Sequence, residues 1–381
     1  MTRIVRALAT FCAVAMPVFA ATAADPIRLE VGGYYAGVAA VQSKMRDRSQ
    51  PVSTRLRPTG ITYEGELHFR GVAKLDNGWE VGVRIELEAW SQPAGGDQLD
   101  EEFIFVRTSH GEVQFGATDG AAYKLHVSLP TAAPMHGVDD PFMLAIRQPA
   151  RNLAVLGGSL AGSDAPNAGD STKITYLSPT WRGIGVGISY TPSYSPSAGP
   201  GACGFRGGGG AAGVCPRNGG QWVNGVEAAM RYAGVIGAVD FSASVGGLRA
   251  RFDGGPSGVA GTTQKRIGAG VNLGWRGVTL GAAIMADNQG LRGDYDLLQW
   301  GVAATYRDGR WVYGVGFTRV SAGTGAPGRP DRAVLLDVSA AYELGPGIVL
   351  FGGLQLTRST SANPANEGKG GALYAGSRLT F

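Results

Sequence analysis

From Ile61 to Leu75 the odd positions read Ile, Tyr, Gly, Leu, Phe, Gly, Ala and Leu, and the even ones Thr, Glu, Glu, His, Arg, Val and Lys. Asp76-Asn77-Gly78 supplies a tight hairpin turn. After it, Trp79, Val81, Val83, Ile85, Leu87 and Ala89 point one way, and Glu80, Arg84, Glu86 and Glu88 the other. A period of two means β-strand, with an apolar face and a polar one. These runs exceed the usual strand of about 5–6 residues and are long enough to cross a bilayer at a tilt. Charges at successive positions of one face exclude a dry core there, so that face meets water.

Sixteen such runs are expected, near 27–42, 60–75, 79–92, 101–108, 112–118, 171–178, 184–194, 222–232, 237–252, 264–275, 278–288, 295–306, 311–321, 332–343, 348–358 and 370–381. Short connections, such as Ser109-His110-Gly111, Ala233 to Ile236, Arg276-Gly277 and Arg307 to Arg310, alternate with longer ones rich in Gly, Pro and Ser. Short turns at one end and long loops at the other are the asymmetry of an outer-membrane barrel. Aromatics on the apolar face recur at Tyr232, Trp275, Tyr306, Tyr342 and Phe381, spaced by 43, 31, 36 and 39 residues. That spacing is one strand pair plus its connections, and it predicts an interfacial girdle at the end carrying the short turns. The fold class is therefore all-β: a transmembrane antiparallel barrel. The segment 119–170 lacks sustained alternation, and its apolar content (Met135, Phe142, Leu144, Leu156) suits a loop folded into the lumen.

The chain opens with Arg3 and Arg6, an apolar stretch from Ala7 to Phe19 and Ala21-Thr22-Ala23. This is a secretory signal over 1–23, leaving the barrel as 24–381. Removing two arginines lowers the formal charge from +4 to +2, so no nucleic-acid partner is implied. Glycine supplies 62 of 381 residues, which fits tight turns and close wall packing rather than a solvated coil. Cys12 leaves with the signal; Cys203 and Cys215 share one loop of an exported protein and are expected to form a disulfide.

The order of Leu29-Glu-Val-Gly-Gly-Tyr-Tyr35, Gly111-Glu-Val-Gln-Phe-Gly-Ala-Thr-Asp-Gly120, Lys173 to Tyr190 and the terminal Gly376-Ser-Arg-Leu-Thr-Phe381 resembles the general porins of Gram-negative bacteria, particularly those of alphaproteobacteria. The resemblance spans the mature chain. It implies a homotrimer of sixteen-stranded outer-membrane barrels that pass ions and small hydrophilic solutes by passive diffusion. It implies a third loop forming a constriction in which an acidic loop faces a basic wall. It implies contact with lipid and lipopolysaccharide, and a terminal Phe381 read by the barrel-assembly machinery. Carried over residue by residue, the basic wall is Arg70 and Arg84, with Lys74, Arg107, Arg28 and Lys173 at other depths. The acidic face comes from Asp119, Asp139, Asp140, Asp164 and Asp170. Glu64, Glu66, Glu86 and Glu88 share the wall with the arginines, and His68 lines the pore between Glu66 and Arg70.

Two rival channel readings and one enzymatic reading exist. A sugar channel needs an inward aromatic track and a phosphate channel a row of Lys and Arg; inward Tyr34, Trp90, Phe103 and Phe105 are scattered, and no lysine ladder is present. An outer-membrane hydrolase needs a Ser–His pair, and none of His68, His110, His126 or His136 sits with a serine on the outer face, so no catalysis is expected. No cofactor is expected either. Asp97, Asp100, Glu101 and Glu102 form the one metal candidate, a Ca²⁺ bridge to lipopolysaccharide weighed against a solvated loop tip.

Overall fold

Every alternating run forms a strand that pairs antiparallel with its neighbours in sequence. The computed structural model describes residues 26–42, 59–89, 99–138, 168–194, 222–254, 262–290, 296–323, 330–361 and 368–381. The first eight strands are β1 (Arg28–Gln42), β2 (Thr59–Lys74), β3 (Glu80–Glu88), β4 (Leu99–Thr108), β5 (Gly111–Ala117), β6 (Thr172–Leu177), β7 (Ile184–Tyr194) and β8 (Trp222–Ile236). The second eight are β9 (Val239–Phe252), β10 (Thr263–Trp275), β11 (Val278–Asp287), β12 (Leu297–Asp308), β13 (Trp311–Ala322), β14 (Asp331–Gly345), β15 (Ile348–Thr360) and β16 (Gly368–Thr380). The sheet closes where β1 meets β16, with Tyr34 opposite Thr380. Gly33 and Phe381 then exchange backbone hydrogen bonds of 3.0 and 3.1 Å, so the last residue seals the seam.

Period two decides the two faces. Along β1, Leu29, Val31, Tyr35 and Val41 are exposed, whereas Ala36, Val38 and Ala40 are buried. The exposed apolar set continues round the wall through Val186, Ile188, Ile267 and Ile284, with Ile61 the barest at 83%. An apolar band on the outside of a closed barrel is the face that a bilayer covers. The packed core lies inside, between the wall and the chain that follows β5. Leu129 and Val138 of that segment cluster with Met285, Leu297, Val320 and Leu335, while Ala133 clusters with Val38, Phe351 and Tyr374.

The short turns show why their residues were chosen. Trp275 pairs with Val278 across Arg276-Gly277, whose φ values of 48° and 82° put both in the left-handed region. That is the two-residue hairpin turn whose twist matches the strands, and glycine takes such a φ without strain. The expected turn at Ala233 to Ile236 is corrected: β8 continues through those residues, and the turn is Gly237-Ala238. Small apolar residues there resemble a connection, but pairing with Val239 to Ser242 holds them in the ladder. A one-turn helix at Ala121–Lys124, not foreseen, starts the long segment. The signal segment 1–23, Trp90, Asp97, Asp139, Asp140, Asp164, Cys203 and Cys215 lie outside the described residues.

Candidate functional site

The segment after β5 runs along the inner wall because that wall has been cleared for it. Gly187, Gly246, Gly270, Gly281, Gly301, Gly314 and Gly316 face it from β7 and from β9 to β13. A methyl group added at Gly301 would stand 2.7 Å from Leu129, and one at Gly314 2.9 Å from Ala132. Wall side chains then pin the segment: Ser244 Oγ accepts from Val127 N–H at 2.7 Å, and Asn272 Nδ2 donates to the Ser128 carbonyl at 2.9 Å. Farther round, Gln355 Nε2 donates to the His136 carbonyl at 2.8 Å, and the His136 ring lies 5.2 Å from both Phe351 and Tyr374. Backbone groups that would otherwise be orphaned inside the barrel are thus satisfied.

The base of the segment is clasped by charge. Lys173 is fully buried and donates to the carbonyls of Thr118 and Gly169, one from each end of the loop. Glu227, also fully buried, accepts from Ala122 N–H at 3.2 Å and Ala168 N–H at 3.0 Å. Lys173, expected as a pore cation, therefore serves the loop instead. Asp119 and Asp170 sit here with Glu101, which accepts from Asp119 N–H at 2.9 Å. Burial, and then Asp170 and Glu101, hold the Asp119 carboxyl well above the usual range. Burial and then Glu101 push Asp170 up to about 6, against the pull of Lys173 and Lys124. Burial also lowers His126 and His136, keeping both neutral at neutral pH.

Facing the segment is a mixed wall. Arg70 and Arg84 stand side by side across β2 and β3. Arg70 binds Glu30 at 2.9 Å, Arg84 pairs with Glu86, and Arg107 bridges Glu80 at 3.0 Å and Glu112 at 2.6 Å. Glu66, Arg70, Arg84 and Glu86 share a cavity of about 730 Å³ with Tyr123, Lys124 and His126 of the loop. Six carboxylates and five cationic side chains line it, which places near-neutral charge around the opening. Lys74 ends β2 in register with Glu80, one position from the turn and away from that cavity. Among the described loop residues, Asp119, Lys124 and His126 line this cavity, so the loop presents an acid and a base together to the arginine-bearing wall. The inward aromatics are covered rather than tracked: Arg70 and Arg107 lie over Phe105 at 5.2 and 5.6 Å, and Lys124 over Phe103 at 5.3 Å.

The calcium candidate is corrected. Asp100, Glu101 and Glu102 belong to β4, not to a loop tip, and alternation separates the inward Glu101 from Glu102, which pairs with Ala117 and Ile85. A strand turns Glu101 and Glu102 apart, while Asp100 and Glu101 both line the cavity. At the short-turn end, Trp275, Tyr306 and Phe381 are exposed, and Trp311 and Tyr313 join them. Tyr342 packs on Trp311 at 4.9 Å, and Arg276 lies 4.8 Å over Trp275. Tyr232 is not at its strand's end, yet it pairs with Ile184 beside the Gly183 turn, at the level of a neighbouring turn.

No curated protein matches the sequence. Among solved structures, an anion-selective porin from Comamonas acidovorans superposes with a TM-score of 0.63 at 17% identity, covering 93% of this chain and 100% of that one. The trimer form of OmpT, an outer membrane protein of Vibrio cholerae, gives 0.58 at 11%, covering 94% and 100%. A mutant of the Rh. blastica porin gives 0.51 at 14%, covering 93% and 100%. At these identities the likeness concerns the fold. The family model for Gram-negative porins matches residues 7–362. A closed sixteen-stranded barrel with an apolar exterior, a charged lumen and that match together mean that this chain belongs to the Gram-negative porin family and forms a channel in the outer membrane.

Proposed function

We propose that the chain is a general diffusion porin. It works as a homotrimer of water-filled channels for ions and small hydrophilic solutes, with weak charge preference. The observation that carries this reading is the pairing of Arg70, Arg84 and Arg107 with glutamates on the same wall. A guanidinium stays charged at any accessible pH, but a carboxylate beside it cancels its field within a screening length of about 8–10 Å at physiological salt. The near balance of acids and bases around the cavity points the same way. Phe103 and Phe105, covered by Arg70, Arg107 and Lys124, offer a sugar no open stacking face. The trimer form of the Vibrio cholerae relative supports the trimer, as does an apolar groove on the outer wall lined by Ala39, Val41, Ile61 and Leu373. Residues 1–23, with Arg3 and Arg6 before an apolar stretch and the small residues Ala21 to Ala23 at its end, act as a cleaved secretory signal, and Phe381 serves assembly as well as closure.

Planar-bilayer recording in a salt gradient tests this directly. The wild-type channel should reverse near zero potential. The double variant Arg70→Gln/Arg84→Gln should shift toward cations, because Glu30 and Glu86 lose their partners. A strongly selective wild type would overturn the reading, as would one sugar or anion crossing liposomes far faster than others of its size. An unchanged reversal potential in the double variant would mean that ions pass elsewhere.

A further inference from the structure

One cluster on the channel wall has no part in the loop's anchoring. His68 Nε2 lies 2.8 Å from Glu66 Oε2 and 3.6 Å from Glu86 Oε2. The three donor atoms fall within 4.8 Å of one another. Each carboxylate keeps its other oxygen for a neighbour: Tyr34 O–H donates to Glu66 Oε1 at 2.8 Å, and Arg84 holds Glu86 Oε1. Both glutamates therefore turn their remaining oxygen to the same imidazole nitrogen. Just beyond, Glu64 is buried, shares the one Tyr34 hydroxyl proton with Glu66 through its Oε1 and has no partner for Oε2 among the described residues.

We propose that Glu66, His68 and Glu86 form a binding site for a divalent transition-metal ion of the zinc class, set in the wall of the channel. Zinc binds imidazole nitrogen and carboxylate oxygen at about 2.0–2.2 Å in a tetrahedron, which separates two ligand atoms by roughly 3.3–3.5 Å. The observed 2.8 and 3.6 Å bracket that value, so small side-chain rotations admit the ion. One nitrogen and two oxygens leave the fourth position to water from the cavity that Glu66 and Glu86 line. An imidazole in the set suits zinc, nickel or copper better than calcium or magnesium, which prefer oxygen alone. Two carboxylates match the ion's charge, and Tyr34 and Arg84 orient them as outer partners do in metal sites. His68 binds through Nε2 with its proton on Nδ1, so its long 3.5 Å contact to Arg84 Nη2 is the one that gives way. An ion held here narrows the opening between the wall and Tyr123 and adds positive charge to it.

The test is titration calorimetry of the full-length protein in detergent with zinc chloride, paired with zinc added during bilayer recording. Saturable binding near one ion per chain, with a matching fall in open-channel current, is expected; magnesium at equal concentration should do neither. His68→Gln should abolish both effects, and Tyr34→Phe should weaken binding about tenfold or more. His126→Gln, across the same cavity, should retain them. Loss of zinc binding in the His126 variant, survival in the His68 variant, equal binding of magnesium or no binding by wild type would each overturn the site. Because calorimetry needs no conduction, a chain that binds zinc but passes no current keeps the metal site and loses the porin reading.

Discussion

Lys173 illustrates what one buried charge does for a channel. Its strand alternation points it inward, and from there it ties Thr118 to Gly169, closing the loop at its base. Removing one member of such a buried charged set costs roughly 3–5 kcal/mol, because its partners stay buried and unpaired. The acids around it make the closure pH-dependent. Asp170 rises from an ordinary 3.8 to about 6, so the folded chain holds this proton more tightly than the unfolded one. The stabilisation is full below the unfolded value and is lost as pH rises through about 6. Asp119 acts in the same direction. Amide exchange over 121–138, normalised for intrinsic rate, should therefore slow as pH falls from about 7 to about 5. Asp170→Asn should make the loop slow at both. Equal protection of the wild type at the two values would show that the cluster does not govern the loop.

At the scale of elements, the glycine file and the loop are complementary surfaces. Inward glycines on β7 and β9 to β13 leave a shallow channel, and the loop's Ala, Val, Leu and Pro side chains fill it. A side chain at Gly270 would overlap the Val127 carbonyl, backbone that cannot step aside without breaking the bond to Ser244. Gly270→Val should displace the loop, at a cost of about 1–3 kcal/mol for overpacking, and raise single-channel conductance. Gly37→Ala, where nothing lies within 4 Å, should leave conductance as it is. Unaltered conductance in the Gly270 variant would mean that the loop does not limit the opening.

At the scale of the whole molecule, closure removes every sheet edge, so the backbone is satisfied without water on its lipid side. The apolar exterior then has only lipid or another copy to meet. The purified protein should migrate in cold detergent gels as a trimer and shift to the monomer on boiling, with a far-ultraviolet spectrum dominated by strand. A strictly monomeric species in mild detergent would remove the trimer.

The barrel was readable in the sequence because its determinant is local. A strand's side chains alternate, lipid and water sort them, and so Ile61, Tyr63, Glu64 and Glu66 declare their faces without reference to any partner. Strand number and the inward placement of Arg70, Arg84 and His68 follow from that one rule, whereas it misplaces the turn after β8 because Ala233 to Ile236 are held in the ladder by pairing with β9. What each inward group then meets depends on register and on residues far away in the chain. Alternation cannot say that Arg84 opposes Arg70 yet pairs with Glu86, or that Lys173 disappears beneath Thr118. It cannot say that Glu66 and Glu86, from separate strands, aim at one imidazole. Face is a property of the strand, whereas charge compensation is a property of the assembled wall, and the second exists only once the sheet has closed.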